Sequence, residues 1–416
     1  MIRFFFLMLA VISTHAQGAV SSLILSESHA KLVAGTHMQW WLDENSMGTI
    51  GSLMKSPVHW QDSAAAIPNL GYKRFPVWFR FNIKNQSENP KWNLVIDYPL
   101  IRDFDVFLVR NSQVQEIFQL GERFEFSARP VEHRNYIIPL VVATDTEIEV
   151  YLRVNGPYAV QMPVTIMDAT TLLENEVYSV LLHGLFFGFV LVMGFYNFFL
   201  FLSTREIPYL FYVTFTFFIG LFQFVQQGFA YQFLWPTEVW WQGRMTGVLL
   251  HLCLISSYLF GNSFLDMRHT MAWNFKAYGV LVALSVVTLL ASPFMDEFWT
   301  IRFGVMLVIP ATILAVVGGW ITWLKGRQDA KYFSIAWFAF LVGGLLLALN
   351  KLGLIPRNTF TEHGAEVGTV IELALLAFAL AGRIKSERYQ RQKLENHARE
   401  MERAAFVAKE HERKNR

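Results

Sequence analysis

Residues 178–202 read YSVLLHGLFFGFVLVMGFYNFFLFL, a run without a single Asp, Glu, Lys or Arg. A helix of this length crosses the roughly 30 Å of hydrocarbon in a bilayer, and an uncharged run longer than about 18 residues marks a membrane span rather than a buried core helix. Six comparable runs come after it, over about 207–227, 246–266, 275–295, 301–324, 331–352 and 362–383. Composition agrees: the 416 residues are 53% hydrophobic and only 16% charged, against about 25% charged in a soluble domain. Phe, Trp and Tyr reach 16%, as suits spans anchored at headgroups by aromatic rings. The chain is predicted to be a polytopic membrane protein with seven spans.

Upstream of the first span the period changes. From about Ser22 to Ile166 the pattern alternates, as in Pro76–Ile83, Trp92–Ile96, Phe104–Val109, His133–Val142 and Thr146–Val154, with polar turns such as 85–90, 110–112 and 155–157 between them. Short alternating strands at regular spacing predict an antiparallel β-sandwich or jelly roll with one face of each sheet wet. Residues 1–16 read as a signal peptide: Arg3, an apolar stretch from Phe4 to Ile12 too short to span, and a small-residue exit at Thr14-His15-Ala16. An uncleaved anchor is the alternative, and either one exports the β domain. The only cysteine, Cys253, lies in an apolar run, so the exported domain is held by its core without an internal disulfide.

Downstream, a polar stretch from Asp168 to Glu176 reads as a capped helix start. Basic residues on alternate loops set the orientation. Arg205, Arg268, Lys276, Lys325, Arg327 and Lys331 fall on one side, while Arg244, Arg302, Lys351 and Arg357, with Asp296 and Glu297, fall on the other. The bias, together with a Lys/Arg-dense tail from Arg383, predicts the β domain outside and the tail inside. Trp235, Trp240, Trp241 and Trp299 sit where an outer aromatic belt is expected. The tail has no Pro or Gly after Gly382. Ile384, Leu394, Ala398, Met401, Ala405 and Ala408 give it a weak heptad seam, interrupted by Glu387 and Arg391. A solvated juxtamembrane helix is the plainer reading of the same pattern. The expected organisation is a signal peptide (1–16), a β-sandwich sensing domain (17–167), a seven-helix bundle (168–383) and a cytoplasmic helix (384–416).

At the first two spans the residues become specific. His183-Gly184-Leu185-Phe186-Phe187-Gly188 leads to Gly194-Phe195-Tyr196-Asn197, then Ser203-Thr204-Arg205-Glu206, Tyr209-Leu210-Phe211-Tyr212, Gly228 and Leu234-Trp235. This resembles the bacterial seven-transmembrane receptors with diverse intracellular signalling modules. Val77–Phe81 and Tyr151–Val154 resemble strands of the extracellular domain that commonly precedes those spans. The resemblance covers about 30–385 and is tightest over 180–235. It implies a jelly roll similar to carbohydrate-binding modules outside, and inside a kinase, cyclase or phosphatase module. Residues 384–416 carry no phosphoacceptor-histidine or Gly-Gly-Asp-Glu-Phe-type motif, so catalysis is not carried over. The output module is expected in a partner or in a longer form of the chain.

Two groups of side chains invite a functional reading. In the outer domain, Trp78, Arg80, Tyr98, Arg134, Arg153 and Tyr158 offer aromatic faces for a glycan or guanidinium forks for an acidic ligand; packing in the core is the plainer role of each, for Trp78 above all. Among the polar residues of the spans, His183, Asn197, His251 and Glu372 stand out. Glu372 lies halfway along the last span, where an ionisable group must pair, take up a proton or face a cavity; it reads as a switching contact. Glu366, nearer the boundary, reads as wet. His183, His251 and His363 lack the His-x-x-x-His spacing of a zinc site, so no metal, cofactor or catalytic residue is predicted. Gly184-x-x-x-Gly188 and Gly343-Gly344 read as helix-packing contacts. The net charge of +2, with no basic patch among aromatics outside the tail, gives nothing for nucleic acid to bind.

The whole reads as a receptor of the bacterial inner membrane, sensing a small molecule or glycan outside and passing a conformational change inward. Its expected partners are lipid, a second copy through the tail, and a cytoplasmic output module. A transporter or channel, an intramembrane hydrolase and an envelope scaffold are the alternatives. No repeated pair of broken helices favours the first of these.

Overall fold

A computed structural model describes residues 22–55 and 58–414, without the side chains at 359, 383–391, 394 and 403–414. The predicted signal peptide lies outside the described residues. The amino-terminal domain is two main sheets closed on one apolar core, with Asn69–Tyr72 and Ala159–Gln161 paired as a third, two-stranded sheet. The larger sheet runs Gln61–Asp62, Gln39–Leu42, Val77–Asn85, Glu147–Asn155, Asp103–Arg110, Gln113–Leu120. The smaller runs Tyr136–Val141, Lys91–Ile96, Val164–Met167, Lys31–Val33.

Alternation along Val77–Asn85 explains the sandwich. Val77, Phe79, Phe81 and Ile83 are fully buried between the sheets, and in register beside them stand Val154, Leu152, Val150 and Ile148. Arg80, Asn82 and Lys84 point the other way, as a period of two requires. Two details depart from the antiparallel, half-wet expectation. Leu23–Leu25 pairs in parallel with Ile83–Asn85. The outer face of the large sheet is partly covered, because the helix Ile50–Lys55 brings Leu53 onto a second small core with Trp60, Trp78, Phe107 and Tyr151.

Seven helices among the described residues are long and apolar enough to cross a membrane: Ala169–Thr204, Ile207–Gln226, Val239–Leu265, Ala272–Ala291, Glu297–Leu324, Asp329–Lys351 and Phe360–Gly382. The third and seventh are the most buried within the protein and the first and fourth the least. The first helix begins nine residues before the apolar run. Asp168 caps it by accepting a hydrogen bond from Thr171 N at 2.7 Å, so its 36 residues reach about 54 Å and overshoot the hydrocarbon. The seventh span and the tail are one helix, Thr359–Lys414. The seam positions of the tail lie mostly among the side chains that are not described.

Packing within the bundle corrects one glycine reading. Gly184 and Gly188 touch nothing, since a Cβ on either would meet no atom within 4 Å, and the same holds for Gly344. Gly343 is the true contact: a Cβ there would lie 2.6 Å from Gly364 O, where the sixth span crosses the seventh. Gly343→Ala is therefore expected to cost about 1–3 kcal/mol as an overpacked contact. Gly188→Ala should leave stability unchanged within about 0.5 kcal/mol. Thermal unfolding of the two variants in detergent tests the contrast.

Candidate functional site at the junction of sheet and helix domains

The sheet domain sits on one end of the bundle, and the contact between them is polar and buried. Two glycines with left-handed backbone shape it. At Gly71 (φ +65°) a Cβ would lie 2.7 Å from Leu352 O, and at Gly228 (φ +79°) 2.7 Å from the Pro99 ring. Such approaches bring loop carbonyls of one domain within reach of side chains of the other.

The first cluster gathers on the loop between spans six and seven. Asn69 Nδ2 donates to Asn350 O at 2.6 Å, and Gln161 Nε2 donates to Asn350 Oδ1 at 2.9 Å. Lys351 Nζ donates to Gln161 Oε1 at 3.2 Å and lies 4.3 Å from the centre of the Tyr98 ring. Arg357, its side chain 4% exposed, pairs with Glu362 through both Nε and Nη2. The same guanidinium donates to Asp97 O at 2.6 Å. One planar cation thus ties a sheet-domain loop to the first turn of the seventh span, geometry a lysine does not reproduce.

The second cluster runs along the overshooting turns of the first span. Arg134 Nη2 donates to Ser179 Oγ at 2.6 Å, and His133 Nε2 lies 3.1 Å from Glu176 Oε2. His183 Nδ1 is 2.7 Å from Ser179 O; a carbonyl only accepts, so Nδ1 carries the proton. Its Nε2 faces Glu366 Oε1 at 3.9 Å. Glu366 also accepts from Gln227 Nε2 at 2.5 Å and meets His363 Nδ1 at 2.9 Å. It is not wet: its side chain is only 12% exposed, held by these partners beside the sheet-domain loop at Tyr98–Leu100.

The third cluster lies under Glu122, a fully buried carboxyl in a sheet-domain loop. Its Oε1 accepts from Gln242 Nε2 at 2.6 Å, and Gln242 Oε1 accepts from Trp235 Nε1 at 2.8 Å. The Tyr158 hydroxyl lies beside the carboxyl without completing a well-formed hydrogen bond. Arg102 reaches across to Glu297 at 3.1 Å, and Arg244 shares that carboxylate at 3.5 Å. Burial lifts the Glu122 carboxyl from 4.5 to about 7, against the opposing pull of the Gln242 hydrogen bond and the Arg102 charge.

The six outer-domain residues singled out from sequence do not form one site. Trp78 is buried and stacks on Phe107 at 5.6 Å. Arg80 donates twice to Gln39 Oε1, at 2.9 and 2.7 Å, and lies over Trp60 at 4.4 Å. Arg153 pairs with Asp105 at 3.1 Å. These three belong to the covered outer face of the large sheet; both guanidinium groups are already engaged, while Trp78 Nε1 is buried without a hydrogen-bond partner among the described residues. Tyr98, Arg134 and Tyr158 stand at the junction. Of the span residues, His183 joins them there, while the other three lie within the bundle. Asn197 Nδ2 donates to Met193 O of its own helix at 2.9 Å, and His251 Nδ1 lies 2.7 Å from Ser285 Oγ. Glu372 is fully buried, and neither carboxyl oxygen has a hydrogen-bond partner among the described residues. Tyr212, Cys253 and Tyr278 lie near enough to feel its charge. No metal-holding group of three or more His, Cys, Asp or Glu occurs among the described residues. Trp240 and Trp241 stack at 5.8 Å and, with Trp299, are exposed on the sheet-domain end of the bundle, as an interfacial belt requires.

Sequence reading missed the residues that make the junction cohere: Gln161, Arg357, Glu362, Glu122 and Gln242. For Arg357, Glu362 and Gln242 the signal was faint but present, as polar residues at span ends; Gln161 and Glu122, in the sheet domain, gave none.

Two family models account for most of this architecture. Residues 35–168 match the 7TMR-DISM extracellular 2 domain, and residues 179–383 match the 7TM diverse intracellular signalling domain. The chain belongs to the seven-transmembrane receptors with diverse intracellular signalling modules. No match is found among curated proteins. For this receptor the boundary between the two matched regions, near 168–179, is where Asp168 caps the first span and where Glu176 and Ser179 meet His133 and Arg134.

The raised Glu122 gives the junction a pH dependence of definite sign. Its folded-state value, about 7, lies above the ordinary 4.5, so folding takes up a proton between those values. The contribution of Glu122 to stability is greatest below about pH 4.5, falls as pH rises through 7 and is level above it, over a range of about 3 kcal/mol. Melting midpoints measured from pH 5 to 8 should fall in the unaltered receptor and be flatter in Glu122→Gln.

Proposed function

We propose that this chain is a signal-transducing receptor of the bacterial inner membrane. In this reading an extracytoplasmic small molecule or glycan alters how the sheet domain sits on the bundle, and the change leaves through the carboxy-terminal helix. The observation that carries it is the Arg357 contact. A sheet-domain carbonyl, Asp97 O, is held to the first turn of a helix that runs without a break from Thr359 to Lys414. A ligand acts in such a system only through its different affinities for two arrangements of the junction. The chain itself performs no chemical step in this reading. Its tail engages a signalling output, either beyond Arg416 or on a partner, and pairs with a second copy to set the register of that output.

Orientation is open to a direct test. Cys253 is buried, so a new surface cysteine is read against a low background. Gln113→Cys, on an exposed hairpin of the sheet domain, should react with a membrane-impermeant thiol reagent in cells whose outer membrane alone is opened. His397→Cys, on the exposed tail, should react only after the inner membrane is permeabilised. The reverse pattern would contradict the proposed topology.

Transmission is tested with a reporter output module fused after Arg416 and monitored in cells. Arg357→Ala and Glu362→Ala are each expected to shift reporter activity several-fold at unchanged membrane insertion. Removing one partner of a buried pair strands the other, at about 3–5 kcal/mol. Unchanged output in both variants would sink the reading.

A further inference from the structure

Between the first two clusters of the junction lies a cavity of about 50 Å³, lined on the sheet-domain side by Tyr98, Pro99 and Gln161. At about 10–15 Å³ per water this is room for a few waters or one solute of about four to six heavy atoms; a pyranose ring with its hydroxyls is too large. The bundle contributes Gln223 and Gln226 from the second span, Lys351 from the sixth and Glu366 from the seventh.

The polar groups facing this space are unevenly satisfied. Arg357 is matched by Glu362, and Glu366 by Gln227 and His363. Lys351 has no carboxylate partner among the described residues; its ammonium meets only the neutral Gln161 carbonyl and the Tyr98 ring face. Gln223 is 4% exposed, and its side-chain amide has no hydrogen-bond partner among the described residues. Gln226 uses only its carbonyl, which accepts from Thr246 Oγ1 at 3.4 Å. A half-buried ammonium with no carboxylate in salt-bridge reach among the described residues, beside amide N–H groups without acceptors, is an arrangement that proteins rarely leave empty. What it lacks is a small, compact acceptor carrying one negative charge.

We propose that the cavity is a binding site for a small organic monoanion, a carboxylate of acetate size, held by Lys351 with the amides of Gln223 and Gln226. Such an ion meets the sheet domain and two spans at once, so its occupancy and the arrangement of the junction are linked. The inference deepens the receptor reading and rests on the junction being the contact through which the two domains communicate.

The test is calorimetric titration of the purified full chain in detergent with sodium acetate at constant ionic strength, alongside sodium chloride and acetamide. Saturable acetate binding is expected, abolished in Lys351→Met and at least tenfold weaker in Gln223→Leu, with no saturable acetamide binding. Gln223→Leu removes no charge and keeps the test informative if Lys351→Met fails to fold, each variant being checked for monodispersity and helix content. The absence of saturable acetate binding, its persistence undiminished in both variants, or equal binding of acetamide would overturn the proposal. Lys351-dependent binding together with a silent fused reporter would uphold the site while removing the receptor reading, so the two fail separately.

Discussion

Arg357 enters the junction with its charge almost wholly removed from water, and the arrangement around it comes from meeting that cost. A desolvated guanidinium is tolerated only where its donors are matched. Here the Glu362 carboxylate takes two of them, and Asp97 O takes another. Meeting that demand fixes three things together: the path of the loop after Lys351, the first turn of the last span, and the sheet-domain loop at Asp97–Pro99. The sheet domain is thereby seated by directional bonds rather than by a broad apolar patch. A contact of this kind has few alternatives of similar energy, which is what two-state behaviour between domains requires.

The bundle below is held differently. Within a membrane apolar burial offers little to drive helices together, so close approach and interdigitated rings do the work. Gly343 against Gly364 and Gly220 against Val190 allow backbones to near one another. Phe260, Phe264, Phe333 and Trp337 form a continuous ring cluster between the third and sixth spans. Against this background Glu372 stands out as a polar group that the packing does not answer.

How far the sequence could be read depended on how local each cause is. Seven spans were legible because an apolar run of membrane length with few charges is decided by its own residues. Val77–Asn85 and Glu147–Asn155 were legible for a similar reason, since one face of each lies in the core. Gln113–Leu120 was not, because its outer-edge position leaves nearly every residue exposed and the alternation vanishes. The start of the first helix was legible from a different local cause, the polar stretch from Asp168 to Glu176 that reads as a capped entry, even though Glu174, Asn175 and Glu176 interrupt the hydropathy signal. The site was legible only in fragments. Tyr98, Arg134 and Tyr158 were picked out for a ligand and proved to meet the bundle. Glu366 looked wet because nothing in its neighbourhood in sequence reveals that Gln227 and His183 come up against it.

The unbroken helix from Thr359 to Lys414 has a consequence of helical phase. At about 100° per residue, any module joined to the tail is oriented by the number of residues separating it from Glu362. A small rotation of the last span about its own axis arrives at the far end as the same angle, whereas a small tilt arrives magnified by the length of the rod. An output attached to such a shaft would read twist and tilt differently. Inserting residues one at a time would return it to its starting face only about every 3.6 residues.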